Sequence, residues 1–203
     1  MTLARRWLCG RLTPREGSDL QERELVKPLR PGAGTAGYTV RRIRPDDWPT
    51  LRTVRLAALA DSPLAFETTL AQASAYADSD WQARALRHAS ADDNSMFLAF
   101  DPAGEPVGMM GAELAKDGGR VWVFAVWVAP AHRGGQAATA LIDTVAAWAR
   151  DTLGAAELIL EVNATNARAA AFYRRCGFVA TGRSRPYPHD PALTELELVK
   201  PLR

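Results

Sequence analysis

Hydrophobic and polar positions alternate in distinct rhythms along the chain, and the rhythm changes name the elements. Tyr38 to Arg44 alternates with period two and predicts a strand. From Pro45-Asp46-Asp47 to Asp61-Ser62-Pro63 the apolar positions Leu51, Val54, Ala58 and Leu59, with Arg55 among them, recur at helical spacing. Acidic residues at that start suit the positive end of a helix. A second helix is predicted from Ser79-Asp80 over Trp81 to His88. Met96–Phe100 and Pro106–Leu114 read as strands around the Asp101-Pro102-Ala103-Gly104 turn. Arg120–Val128 is a β-branched and aromatic run stopped by Pro130. Ala138, Leu141, Ile142, Val145 and Trp148 give a helix packed on a sheet. Leu158–Val162 predicts a strand, Asn166–Cys176 a helix, and Phe178–Thr181 and Leu193–Lys200 two last strands. The order predicts an α/β domain whose first half is mostly antiparallel.

Pro31-Gly32-Ala33-Gly34-Thr35-Ala36-Gly37 has linker composition and divides residues 1–37 from a body at 38–203. Glu24–Arg30 repeats residue for residue as Glu197–Arg203. The first copy is either an inert remnant of a duplicated or fused neighbour, or a spare last strand able to compete for that strand's place or to add to a sheet edge in a dimer.

Composition narrows the class. In 203 residues, 47% are hydrophobic and 24% charged, enough apolar content for one core. Basic and acidic residues number 25 and 23, a near-balance that argues against a nucleic-acid binder relying on bulk charge. Cys9 and Cys176 form neither a metal knuckle nor a disulfide framework, which predicts reduced thiols and a cytoplasmic setting. No apolar run reaches membrane-helix length, and the Arg5-Arg6 start lacks the apolar stretch of an export signal.

Two segments carry chemistry. In Val126–Gln136 a strand ends at Pro130, a basic glycine loop comes next, and a helix begins. Such a turn offers backbone N–H groups and a positive dipole end to an anion, although Gly-Gly before a helix is also ordinary turn chemistry. In Asn163–Phe178, Asn166 heads a helix. Tyr173, seven residues on, falls within about 20° of it around the helix surface. Phe172 and Cys176 line a neighbouring face, and Gly177 is placed as the helix stop.

These two segments, in this order and spacing, resemble motifs A and B of the GCN5-related N-acetyltransferase (GNAT) superfamily. The match is close over about residues 120–182 and looser from Tyr38 to Arg203. The resemblance implies a mixed, mostly antiparallel sheet splayed at its fourth and fifth strands and flanked by about four helices. It implies acetyl-CoA as co-substrate and an amine acceptor, a protein N-terminus or a small-molecule amine, with direct attack in a ternary complex. No metal is implied, and a homodimer is compatible with the family. Val126, Trp127 and Val128 would meet the pantetheine arm, the two valines through their main chains. Arg133 and the loop Gly134, Gly135, Gln136, Ala137, Ala138 and Thr139 would hold the pyrophosphate. Asn166 would bind the cofactor, and Tyr173 would protonate the leaving thiolate. Trp127's side chain, alternating with the two valines, is expected in the core on the sheet's opposite side.

The chain departs from the family pattern at Gln136, which stands at the central glycine of the phosphate loop. A left-handed backbone there would cost roughly 1–2 kcal/mol, whereas a helical one costs little, with Gly135 supplying flexibility one residue earlier.

The attacking amine must be neutral. Neutralisation at pH 7 costs roughly 4.6 kcal/mol for a lysine-like amine and about 1 kcal/mol for an α-amine. Arg120–Val128 offers no carboxylate where several family members keep their glutamate. The best substitute is Glu161, in a Leu-Glu-Val segment that resembles that of the ribosomal-protein alanine N-acetyltransferases; its other reading is a structural or solvated carboxylate. Glu113 and Glu67 are weaker candidates, and a water relay is the alternative. His132 is expected exposed, His88 on a helix surface, and Tyr187 and His189 in a loop before the last strand, which is either a plain surface loop or, as the resemblance implies, a border of the acceptor pocket. A non-catalytic acetyl-CoA sensor or interaction module is the competing class.

Overall fold

The computed structural model describes residues 37–187 and 190–202. The first heptamer copy and His189 lie outside the described residues.

The elements run in the order β1 (Thr39–Arg42), α1 (Trp48–Asp61), α2 (Leu70–Ser74), α3 (Asp78–Ser90), β2 (Asn94–Phe100), β3 (Pro106–Leu114), β4 (Arg120–Val128), α4 (Ala137–Leu153), β5 (Glu157–Asn163), α5 (Ala167–Arg175), β6 (Val179–Tyr187) and β7 (Asp190–Pro201). The seven strands form one sheet in the order β1-β2-β3-β4-β5-β7-β6. Only β4 and β5 run parallel; the remaining pairs are antiparallel. The α/β class and splayed sheet expected from the sequence are present. The short α2 makes five helices; its segment lacks the length to display a helical period. Pro45–Asp47, expected to open α1, is a separate 3-10 turn.

Side-chain alternation splits the core in two. On β2, Phe97 and Ala99 join a cluster with Leu141, Ile142, Val145 and Trp148 of α4, while Met96 and Leu98 join Leu51, Val54, Ala58 and Leu59 of α1 and Trp81 of α3. Both faces of β2 are covered, so it reads as a continuous apolar run. The residues of α1 picked out by helical spacing, Arg55 included, are those it buries.

Three expectations change. His88 is buried, not at a surface: it is 1% exposed, and its Nδ1 lies 2.6 Å from Asn94 Oδ1. An amide partner lets imidazole enter a core despite its polarity. The stretch after Thr181 is strand rather than loop, because β6 continues to Tyr187. It lies at the sheet edge, where Pro186 needs no outward N–H, and its register shifts between Ala180 and Ser184 around Gly182. Tyr187 is buried, and its hydroxyl donates to the Phe66 carbonyl at 3.4 Å. Glu197–Pro201 of the second heptamer copy form the end of β7, which is seated between β5 and β6. No helix among the described residues is long and apolar enough to cross a membrane.

Candidate active site

The site begins where β4 and β5 part. Arg120, Val121 and Trp122 pair with Glu157, Leu158 and Ile159, and the register stops there. Val123–Val128 and Leu160–Asn163 then diverge without a shared ladder. A bulge contributes to the bend: Ala125 and Val126 together oppose Met110, and Ala125 has φ 51°. Gly111 makes room, since a Cβ there would lie 2.3 Å from the Phe124 ring.

The divergence exposes main-chain groups. Ala129 N–H donates to Val107 on β3 at 2.8 Å, so Val128, alternating with it, turns its N–H and C=O away from β3 into the gap. Val126 lies on the same edge. The Val128 carbonyl accepts from Arg133 Nε at 2.9 Å. Trp127 points its side chain into the α1 cluster, as expected, and its indole N–H donates to Asp61 Oδ2 at 2.9 Å.

The glycine loop lies between β4 and α4. Gly134 takes the left-handed turn at φ 77°, and a Cβ built on it meets nothing within 4 Å. Gln136 has φ −90° and ψ −9°, a right-handed conformation at the N-cap of α4. The substitution at the family's central glycine therefore carries no left-handed strain, and Gly134 supplies the flexibility rather than Gly135. Ala137, Ala138 and Thr139 open α4, with their N–H groups at its free N-terminus. An open loop beside free strand edges fits a thioester arm ending in a pyrophosphate.

The Arg133 guanidinium is paired with Asp61 at the end of α1. Asp61 accepts from Ser62, Arg133 and Trp127, which hold its carboxyl down at about 2. His132 is half-buried, with Nδ1 3.0 Å from the Tyr38 hydroxyl.

Asn166 caps α5, its side chain accepting from Ala169 N–H at 3.0 Å. Tyr173 shares the larger core with Val128 of β4 and Val162 of β5, the two strands flanking the gap. Burial, reinforced by Cys176, pushes its phenol well above the ordinary value of 10. Leu160 and Val162 belong to that same cluster, so Glu161 between them faces the other side of the sheet.

On that side Arg185 reaches from β6 to Glu161 at 2.5 Å and to Glu195 on β7 at 2.9 Å. Burial raises the Glu195 carboxyl, with Glu161 and Glu67 adding to the rise against Arg185. Glu113, at the far end of β3, pairs in register with Trp122 and Asn94. Sequence reasoning missed Asp61, Arg185 and Glu195. The one signal for Asp61 was an acidic residue at a helix C-terminus, where the dipole disfavours it.

A parallel strand pair that opens toward its carboxyl ends leads into a glycine loop and the start of a long helix. The profile of the acetyltransferase (GNAT) family matches residues 56–178, and the chain belongs to that family. It is 30% identical over 163 residues, 77% of its length, to mycothiol acetyltransferase of Salinispora tropica, and the match spans about half of that relative (49%). It is 34% identical over 106 residues to IAA acetyltransferase of Azospirillum brasilense, covering 52% of this chain and 67% of that one. Spermidine N-acetyltransferase from Vibrio cholerae in complex with CoA and spermine shares the fold, with TM-score 0.64 at 15% identity over 82% of this chain and 96% of that one. Acetyl-CoA is the family's co-substrate.

Proposed function

We propose that the chain transfers the acetyl group of acetyl-CoA to a primary amine, a protein N-terminus or a small-molecule amine, in a ternary complex. The observation that carries this reading is the gap beyond Trp122 and Ile159.

When bound, acetyl-CoA supplies an acyl group activated as a thioester. Val126 and Val128 line its arm through main-chain groups, and the loop from Gly134 to Thr139 meets the pyrophosphate with backbone N–H groups. Asn166 stands at the head of α5 beside the arm. Tyr173 and Glu161 approach the gap from opposite faces of the sheet. The buried Tyr173 phenol stays protonated at working pH and holds the proton for the departing sulfur. Glu161 takes a proton from the arriving ammonium, leaving the nitrogen lone pair free to attack the carbonyl carbon as the carbon–sulfur bond breaks. Arg185 pairs with Glu161 at 2.5 Å. Glu67, Glu161, Glu195 and Glu197 outnumber Arg183 and Arg185 on the strands and loop around this side. That balance favours an amine arriving as a cation.

A panel of amines and peptide N-termini, read by thiol release, tests the proposal. Release dependent on both acetyl-CoA and one acceptor class supports it. CoA binding without release on any amine supports the sensor or interaction module instead.

A further inference from the structure

Asp61 closes α1 with a negative charge at the helix's negative end, which costs roughly 0.3–1 kcal/mol. Its partners offset that cost, and two of the three come from the co-substrate side of the molecule. The Trp127 indole reaches it from β4, and the Arg133 guanidinium reaches it from the start of the phosphate loop, 72 residues away in sequence. Arg133 is fixed a second time by its Nε bond to the Val128 carbonyl. The side chain is thereby strung along the end of β4, between strand and helix. The turn at Gly134, with its left-handed backbone, comes immediately after.

We propose that Asp61 is a positioning residue for co-substrate binding, and that Arg133 braces the phosphate loop against Asp61 and Val128 instead of pairing with the pyrophosphate. The proposal rests on the reading of the gap as the acetyl-CoA site. It assigns phosphate recognition to the backbone of Gly134–Thr139 and gives the end of α1 a part in shaping it. Beyond Asp61 the chain runs through Ser62 to Phe66, whose carbonyl receives Tyr187 on the acceptor side.

The two roles for Arg133 predict opposite signs when Asp61 loses its charge. A phosphate ligand is released from a competitor and binds CoA as tightly or more tightly. A brace is lost, and binding weakens. The test is calorimetric titration of CoA into the full chain and its Asp61→Asn, Arg133→Gln and double variants, with thermal midpoints measured alongside. Each single variant is expected to weaken CoA about tenfold, the size of one hydrogen bond between charged groups, and the double variant no more than either single. The KM for acetyl-pantetheine, which has the thioester but no pyrophosphate, is expected to rise less than that for acetyl-CoA in each single variant, a selectivity that general loosening of the fold would not produce. If Asp61→Asn fails to fold, Trp127→Phe removes one donor to Asp61 and is expected to weaken CoA in the same direction. Unchanged or tighter CoA binding by Asp61→Asn, or losses that multiply in the double variant, overturns the proposal. A wild-type chain that binds no CoA overturns the underlying reading of the site as well.

Discussion

Trp122 and Ile159 are the last residues to face each other across β4 and β5. Beyond them the two strands share no ladder and their facing edges open a gap, and every role proposed for the site depends on that divergence. Unpaired backbone groups in a sheet interior are costly, so a protein keeps them where something else satisfies them.

Tyr173→Phe removes the proton at the gap while keeping the ring and its packing on Phe172 and Phe178. Turnover is expected to fall about a hundredfold, the lower range for loss of a general acid, with CoA affinity within about twofold of wild type. Steady-state kinetics and calorimetry check both halves.

Glu161→Gln keeps the shape but removes the proton acceptor, leaving Arg185 to Glu195 alone. The acidic limb of the pH–rate profile is expected to flatten. An unaltered profile takes Glu161 out of the mechanism and leaves the water relay.

Gly134→Ala introduces a side chain with ample space but at φ 77°. The penalty is conformational, roughly 1–2 kcal/mol, and is expected to appear both as a lower thermal midpoint and as weaker CoA binding. Gln136→Gly restores the family's glycine at a right-handed position and is expected to bring no gain in CoA affinity.

His88 gives a stability test away from the site. Burial, then Arg87, lowers its pKa from 6.5 to about 4, against the Asn94 hydrogen bond. Between those two values the unfolded chain takes up a proton that the folded chain refuses. Its contribution is therefore complete above pH 6.5 and declines as pH falls toward 4, by up to about 3 kcal/mol. Denaturant unfolding at pH 7 and pH 5 is expected to show that decline in the wild type and a shallower one in His88→Gln.

The elements that the sequence disclosed are those with a local signature. The helical spacing of Leu51 to Leu59, the Pro130 stop after β4 and the Asn166 cap can each be read within a dozen residues. The later part of β6, beyond Thr181, hid because Gly182 and Pro186 signal a loop unless one knows that β6 is an edge strand. His88 carried a helix-surface pattern, and only the fold supplies Asn94 as its buried partner. The polar contacts that shape the site were invisible for a related reason. Arg185 meets Glu161 across β7, and Arg133 meets Asp61 across the sheet's end, and neither pairing has a sequence period. Motif resemblance picks residues by type and spacing and carries no sign of the Arg133–Asp61 pairing.

The backbone amide of Val128 gives the sharpest reading of the gap, by hydrogen exchange with and without saturating CoA. In the free chain it should exchange much faster than the amide of Val121, and CoA should slow it about tenfold or more. An amide as protected as Val121 before any ligand is added, or one that CoA leaves unchanged, would contradict the account.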